Sequence, residues 1–412
     1  MPDEAAATGQ VFFTKHPILD DKRKLWGFEL ALSAPSPGNG TAGAAKDLSA
    51  SLLASSAFIG VQQAMERGKR IMLGFGEQNL LDKAPYAFSP TQCVVRFQGP
   101  VTDQATLLKT LGGLKKDGYL LAVPGQAALA KEIVGLADIV VLDGPGSNGQ
   151  PQTWPAGVQR LALSVARIEQ FEDLRGHGFT LFEGAFFKEA ETFAERKLSS
   201  HEMSRINILR IIEAEDPDLD ALAEAIGSDV SVSFRLLSYL NSAAFSFPQK
   251  IKSIKQAIMI LGINKMKNWL RAVLLADMAK EGDNPRELVH LSLQRAKFLE
   301  SVAKEYDYWG FDPGSLFMLG LFSLIDAILG MPMDKVVHYL PLEEKLKAAL
   351  CREANNEFQP LLDLAESFED AGWPKLPGMV QKLSFDLETV KTAYSEAMQW
   401  AGLFLAPQGG KA

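Results

Sequence analysis

The sequence predicts a multidomain α/β plus all-α protein, a (β/α) TIM-type barrel over residues 1–195 followed by an all-helical domain over residues 196–412. Three observations carry this reading. Short apolar or β-branched runs, separated mostly by stretches long enough for a helix, fill the first half. After about Glu189 the strand signal stops and apolar residues recur at helical spacing. The chain has 412 residues, 47% of them hydrophobic, enough for two cores when single domains run to about 100–200 residues and barrels to about 250.

The strand candidates, in order, are VFFTKHPIL (11–19), WGFELAL (26–32), RIMLGF (70–75), CVVRF (93–97), YLLAV (119–123), DIVVLD (138–143), RLALS (160–164) and FTLFEGAFF (179–187). Continuous apolar strands alternating with helices predict a parallel sheet covered on its faces. The Pro, Gly and Ser rich segment from Ala34 to Lys46 reads as a flexible surface loop. The helical candidates are 199–214, 218–227, 231–243, 253–263, 264–280, 286–306 and 315–329. Their boundaries have local causes. Ser199 or Ser200 caps the first, Asp218 and Asp220 offer capping carboxylates, Gly262 ends one pattern, and Pro313 with Ser315 precedes another start.

Composition narrows the partners. The net charge of -8 falls mostly on the C-terminal half, because residues 1–200 hold 20 basic and 21 acidic side chains against 22 and 29 in the rest. Nucleic-acid binding rests on a basic patch that releases counterions, so no nucleic-acid partner is expected. Cys93 and Cys351 show no pairing pattern and no C-x-x-C spacing, which suits a reducing cytoplasm rather than a disulfide or zinc scaffold. The N-terminus MPDEAAATGQ lacks a basic region followed by an apolar core and does not read as a secretory signal. The apolar stretch from Leu316 to Met333 is interrupted by Asp326, Gly and Pro, which makes it a buried helix rather than a membrane span.

Barrel enzymes mount catalytic groups at the C-terminal ends of their strands. Here those positions hold Gly74, Arg96, Pro124, Val141 and Ala166. Elsewhere no Ser lies in a G-x-S-x-G elbow, and the Gly112-Gly113 pair lacks the Lys and Thr of a phosphate loop. His16, His177, His201, His290 and His338 are scattered singly, none with a second His at i+3 or i+4, and read as structural residues. Asn241 and Ser242 read as a helix end or bend made by side-chain to backbone bonding.

At this point the chain resembles a known family. Residues 11–187 resemble an EAL domain, the barrel that in its active form hydrolyses cyclic di-GMP. DLDALAEAIGSDVSVSFRLLSYLNSAAFSFPQKIKSIKQAIMILGINKMKNWL, from Asp218, resembles an HDOD domain, most specifically in NSAAF at Asn241 to Phe245 and in the run ending at Gly262. Together they resemble the EAL-HDOD family of bacterial signalling proteins.

The resemblance implies a site that has lost its chemistry. Glu29, Leu30 and Ala31 stand for Glu-Ala-Leu, with Ser33 where an arginine is expected. Gly74 replaces a metal-binding Asn, Arg96 a Glu, Pro124 the first Asp of Asp-Asp-Phe-Gly, Val141 the Lys of Lys-Ile-Asp, and Ala166 a later Glu. Asp143 keeps its motif's aspartate and Glu183 stands for the Gln of Gln-Gly-Tyr. Glu29, Asp143 and Glu183 are thus the vestige of the pocket, and Asn241, Ser242 and Gly262 mark the HDOD motif. Two-metal hydrolysis needs several oxygen ligands. Glu29 alone cannot supply them and reads better as a carboxylate satisfied by neighbouring donors. No His-Asp dipeptide offers a second metal site, so no catalytic residue, metal or cofactor is expected. The expectation is a cytoplasmic, non-catalytic regulatory scaffold that contacts other signalling proteins through its helical domain, with no membrane partner and an open oligomeric state. Two rivals stand beside it: a sensor binding cyclic di-GMP without cleavage, and residual hydrolysis by an unfamiliar set of Glu29, Asp138, Asp143 and Glu183.

Overall fold

A computed structural model of the chain describes residues 12–33, 65, 68–125, 129–144, 157–189, 196–240, 251, 253–279, 282–306, 311–370 and 374–405. The loop expected from Ala34 to Lys46 lies outside them, as do Asn241 and Ser242. The chain divides into two compact units, one formed by residues 1–189 with 366–399, the other by 190–365 with 400–412.

The first unit is built on a closed barrel of eight strands. These are β1 (Phe12–Asp20), β2 (Leu25–Ser33), β3 (Arg70–Phe75), β4 (Cys93–Phe97), β5 (Leu120–Pro124), β6 (Ile139–Asp143), β7 (Gln159–Leu163) and β8 (Leu181–Glu183). Each overlaps a run that its apolar content predicts, within a residue at either end for β1, β2, β5 and β7. The expected all-parallel sheet needs one correction: β1 runs antiparallel to both β2 and β8. Only residues 21–24 join β1 to β2, too few for the crossover that a parallel pair requires. The turn is local. The Asp20 carboxylate accepts from the Lys22 and Lys24 amides, and Arg23 takes a left-handed φ of 57°.

Inside the barrel, Ile18, Met72, Val94, Ala122, Ile139, Val141, Leu161 and Leu181 form a fully packed layer, so the barrel has a core and no pore at this level. Helices α1 (Glu77–Leu81), α2 (Gln104–Lys116), α3 (Lys131–Val134) and α4 (Ile168–Gly176) follow strands β3, β4, β5 and β7. Helix α2 buries Leu107, Leu111 and Leu114, one face at helical spacing, and Asp103 caps it by accepting from the Ala105 and Thr106 amides. Phe171 of α4 stacks on Phe186 at 4.9 Å and meets Phe182 edge-on at 4.6 Å, closing the barrel's last turn with aromatic area. The return of residues 366–399 to this unit is tied by Lys188, which donates to Glu369 at 2.8 Å and Asp370 at 2.9 Å.

The second unit is helical among its described residues: α5 (Ser200–Glu213), α6 (Leu219–Gly227), α7 (Val230–Leu240), α8 (Ile254–Leu261), α9 (Ile263–Met278), α10 (Asp283–Tyr306), α11 (Pro313–Phe322) and α12 (Ile325–Leu329), then further helical segments. Ser199 caps α5 in a reciprocal box with Glu202, which fixes the choice between the two serines. Asp218 caps α6, whereas the Asp220 carboxylate pairs with Lys255. Helix α11 starts at Pro313 itself, because Asp312 is the cap and accepts from the Ser315 amide at 2.7 Å. The apolar stretch from Leu316 is two buried helices, α11 and α12, and among the described residues no helix is long and apolar enough to cross a membrane.

Helices α10 and α11 approach closely at Gly320, where a Cβ would lie 2.5 Å from the backbone of Arg295 and Ala296. Gly320→Ala is therefore expected to destabilise by about 1–3 kcal/mol through overpacking. Gly112→Ala in α2, with nothing within 4 Å of the added Cβ, is expected to stabilise by about 0.5–1 kcal/mol through helix propensity. Chemical denaturation of the two variants checks the opposite signs.

Candidate functional site at the barrel rim

The C-terminal ends of β2 to β8 gather at one rim, and the antiparallel β1 brings His16 to it beside Glu29. Period-two alternation then decides what points inward. On the same face as the packed layer, the rim positions are His16, Glu29, Gly74, Arg96, Pro124, Asp143 and Glu183.

Four of these side chains form a buried network. Arg96 Nη1 donates to Glu29 Oε1. His16 Nδ1 lies 3.0 Å from Glu183 Oε1, and its Nε2 lies 2.8 Å from Thr14 Oγ1. The Ser164 amide donates to Glu183 Oε2 at 3.1 Å. All four charged groups are mostly sequestered, Glu29 and Glu183 at 12% exposure each. With His16 protonated the group holds two positive and two negative charges, and the ring donates from both nitrogens.

The electrostatics follow from burial and contact. Burial disfavours the charged His16 ring, but the hydrogen bond and charge of Glu183, with the charge of Glu29, outweigh it and raise the ring above its ordinary value. Burial pushes Glu183 up, and the hydrogen bond and charge of His16, the Ser164 amide and the charge of Arg96 more than reverse this, leaving it low. Burial raises Glu29 and prevails over the opposing Arg96 charge, with Glu183 adding to the rise.

The other predicted positions separate from this network. Asp143 stands exposed at the end of β6, with no hydrogen bond or ion pair among the described residues. Asp138 precedes the five-residue strand β6 and so lies at the opposite end of the barrel, where Lys115 donates to it and it accepts from the Leu121 amide at 2.9 Å. The unfamiliar ligand set of Glu29, Asp138, Asp143 and Glu183 is therefore not one site, since a strand of that length spans roughly 16 Å. At Gly74 a Cβ would meet the Gln98 side chain at 2.4 Å, so Gln98 fills the space opposite the missing side chain. The Ala166 amide donates to Gln170 Oε1 at 2.9 Å. Gly184, with φ 142°, has Val165 backbone atoms within 2.4 Å of where a Cβ would lie, which explains why glycine follows Glu183.

In the helical unit Gly262 separates α8 from α9 with φ 74° and ψ 156°, ending the first helix as its sequence implies. Sequence reading missed a second polar cluster there. Asp277 accepts from Arg205 Nε at 2.6 Å and pairs with Arg235 at 3.0 Å and His201 at 3.3 Å, while Arg205 also donates to Asp229. The Arg205 guanidinium occupies the space between these carboxylates. Among the described residues no group of three or more His, Cys, Asp or Glu side chains is placed to hold a metal ion.

The helical unit contains a match to the HDOD domain family over residues 199–340, starting at the Ser199 cap. Over nearly its whole length the chain is also similar to the uncharacterised protein YuxH of Bacillus subtilis, at 30% identity covering 95% of this chain and 98% of that one. The chain belongs to the EAL-HDOD family. Another relative is the Vibrio cholerae protein named cyclic di-GMP phosphodiesterase CdgJ, 27% identical over 81% of this chain and 78% of that one. Among solved structures, an EAL domain protein of Listeria monocytogenes EGD-e aligns with 43% of this chain and 87% of that one at 15% identity and a TM-score of 0.33.

For this EAL-HDOD barrel, Arg96→Met strands the Glu29 carboxylate. The expected loss is about 2–4 kcal/mol, somewhat under the range for a fully buried pair because both groups keep some exposure. Adding Glu29→Gln recovers much of it, as a double-mutant cycle by chemical denaturation would show. His16 has a second readout. A raised histidine stabilises fully below its unfolded value of about 6.5 and loses that contribution as pH rises through the folded value. Stability is expected to fall as pH rises above about 6.5, and His16→Gln to flatten that limb, measured as denaturation midpoint against pH.

Proposed function

We propose that the chain is a non-catalytic signal-transduction protein of the cytoplasm, a regulatory scaffold in a cyclic di-GMP-related pathway. Residues 1–195 hold a degenerate EAL-like barrel whose Glu29, Asp143 and Glu183 are vestiges, and the HDOD domain, within residues 196–412, contacts other signalling proteins. One observation carries this reading: Glu29, the motif carboxylate that the resemblance assigns to metal, is engaged by Arg96, which stands where the family places a glutamate. A guanidinium at a cation position both removes a ligand and repels the ion. The donor set does not fit two divalent cations, with Gly74, Pro124 and Ala166 supplying no side-chain oxygen and Asp143 exposed outside the hydrogen-bonded network.

A second reading has its own support, because a relative with 27% identity carries the name of a cyclic di-GMP phosphodiesterase. The two separate on turnover. Full-length protein with Mg²⁺ or Mn²⁺ and cyclic di-GMP is expected to release no linear product above the metal-only control, while recovering a protein partner from the source cell. Turnover that Glu29→Ala abolishes would overturn the scaffold reading, as would a pull-down that returns background alone.

A further inference from the structure

Residues 183–189 close the first span of the barrel unit, and they run from the rim network to the segment that returns to the same unit as residues 366–399. Glu183 starts the stretch, held by the His16 ring at 3.0 Å and by the Ser164 amide at 3.1 Å. Near its other end Lys188 grips Glu369 at 2.8 Å and Asp370 at 2.9 Å. One short piece of chain thus holds the rim at one end and the returning segment at the other.

Between these ends the chain has little freedom. Gly184 has no space for a Cβ against the Val165 backbone, and the Phe186 amide donates to the Val165 carbonyl at 3.0 Å. Phe186 and Phe187 are buried, with the Phe186 ring stacked on Phe171. Glu189 then accepts from the Ile168 amide at 2.7 Å, at the first residue of α4. A stretch pinned at so many points moves as one piece, because a close-packed interior transmits a displacement rather than absorbing it. Charge joins the ends as well. The Lys188 side chain is 15% exposed and that of Glu369 only 2%, so solvent screens their pairing little. The Lys188 charge also reaches the His16 ring, where it works against the protonated form.

We propose that residues 183–189 couple the barrel rim to the returning segment, so that a disturbance at Glu183 loosens the Lys188 grip on residues 366–370 and release of that grip is felt back at the rim. An event at the rim thereby reaches a segment far along the chain without leaving one compact unit. The coupling is independent of the scaffold reading. It concerns what a change at the rim does to the segment, and turnover decides the other question.

Amide hydrogen exchange of the full-length protein tests the coupling, read in peptides covering residues 366–370, where the Asp370 amide donates to the Glu366 carbonyl at 2.9 Å. Glu183→Gln, which keeps the shape and removes the charge, and Gly184→Ala, which displaces the chain, each speed exchange there by about fivefold or more, with peptides of α10 unchanged. Gly144→Ala is the control: its Cβ would lie 2.5 Å from the Leu163 carbonyl oxygen, at the same rim but outside the stretch, and residues 366–370 keep the wild-type rate. In the reverse direction, Glu369→Gln shifts the His16 ring signals in histidine-labelled NMR and leaves those of the exposed His177 in place. Wild-type exchange in either rim variant that folds overturns the coupling. So do equal acceleration by Gly144→Ala and His16 signals that ignore Glu369→Gln.

Discussion

An eight-stranded barrel has an interior just wide enough for side chains to fill, so a charged side chain buried at its rim must find its partners among the others there. This constraint organises the first unit. Below the rim, eight apolar side chains satisfy it by packing. At the rim, a carboxylate on β2 faces inward and needs a cation or a proton, and Arg96 two strands away supplies the cation. The same logic couples His16 to Glu183 across the β1 and β8 seam that closes the sheet. The two pairs share fields, since each carboxylate feels the other's cation, and so the rim behaves as one electrostatic group.

The helical unit solves the matching problem with arginines inside. Arg205 is nearly fully buried and holds Asp229, just before α7, and Asp277 of α9. Arg271 makes a two-pronged contact with Glu213 at 2.6 and 2.5 Å, joining α5 to α9. Planar guanidinium groups suit such sites because they satisfy carboxylates bidentately and stay charged when buried. Their geometry fixes how these helices sit together.

Much of this was legible in the sequence because the period of the apolar pattern survives burial. All eight strands overlap the apolar runs that predict them, and the caps at Ser199 and Asp218 follow from hydrogen-bonding side chains placed just before helical spacing begins. The direction of β1 was hidden by its composition, which is as apolar as that of a parallel strand. The length of its connection to β2 carried the signal. The pairing of His16 is hidden in the sequence because its partner Glu183 is remote, although alternation puts His16 on the same face of β1 as the buried Ile18.

Residues 366–399 complete the unit that residues 1–189 begin, with Glu369 gripping Lys188 and Phe368 stacking on Tyr394 at 4.6 Å. This order has a consequence during synthesis. At roughly 5–20 residues per second, the stretch from 189 to 366 takes roughly 10–35 s to translate. Throughout that interval the nascent barrel has Lys188 without its carboxylates, and part of its apolar surface awaits helices not yet made. The helical unit has its residues up to 365 on the ribosome before the barrel unit has its last helices, so the half that starts first finishes late.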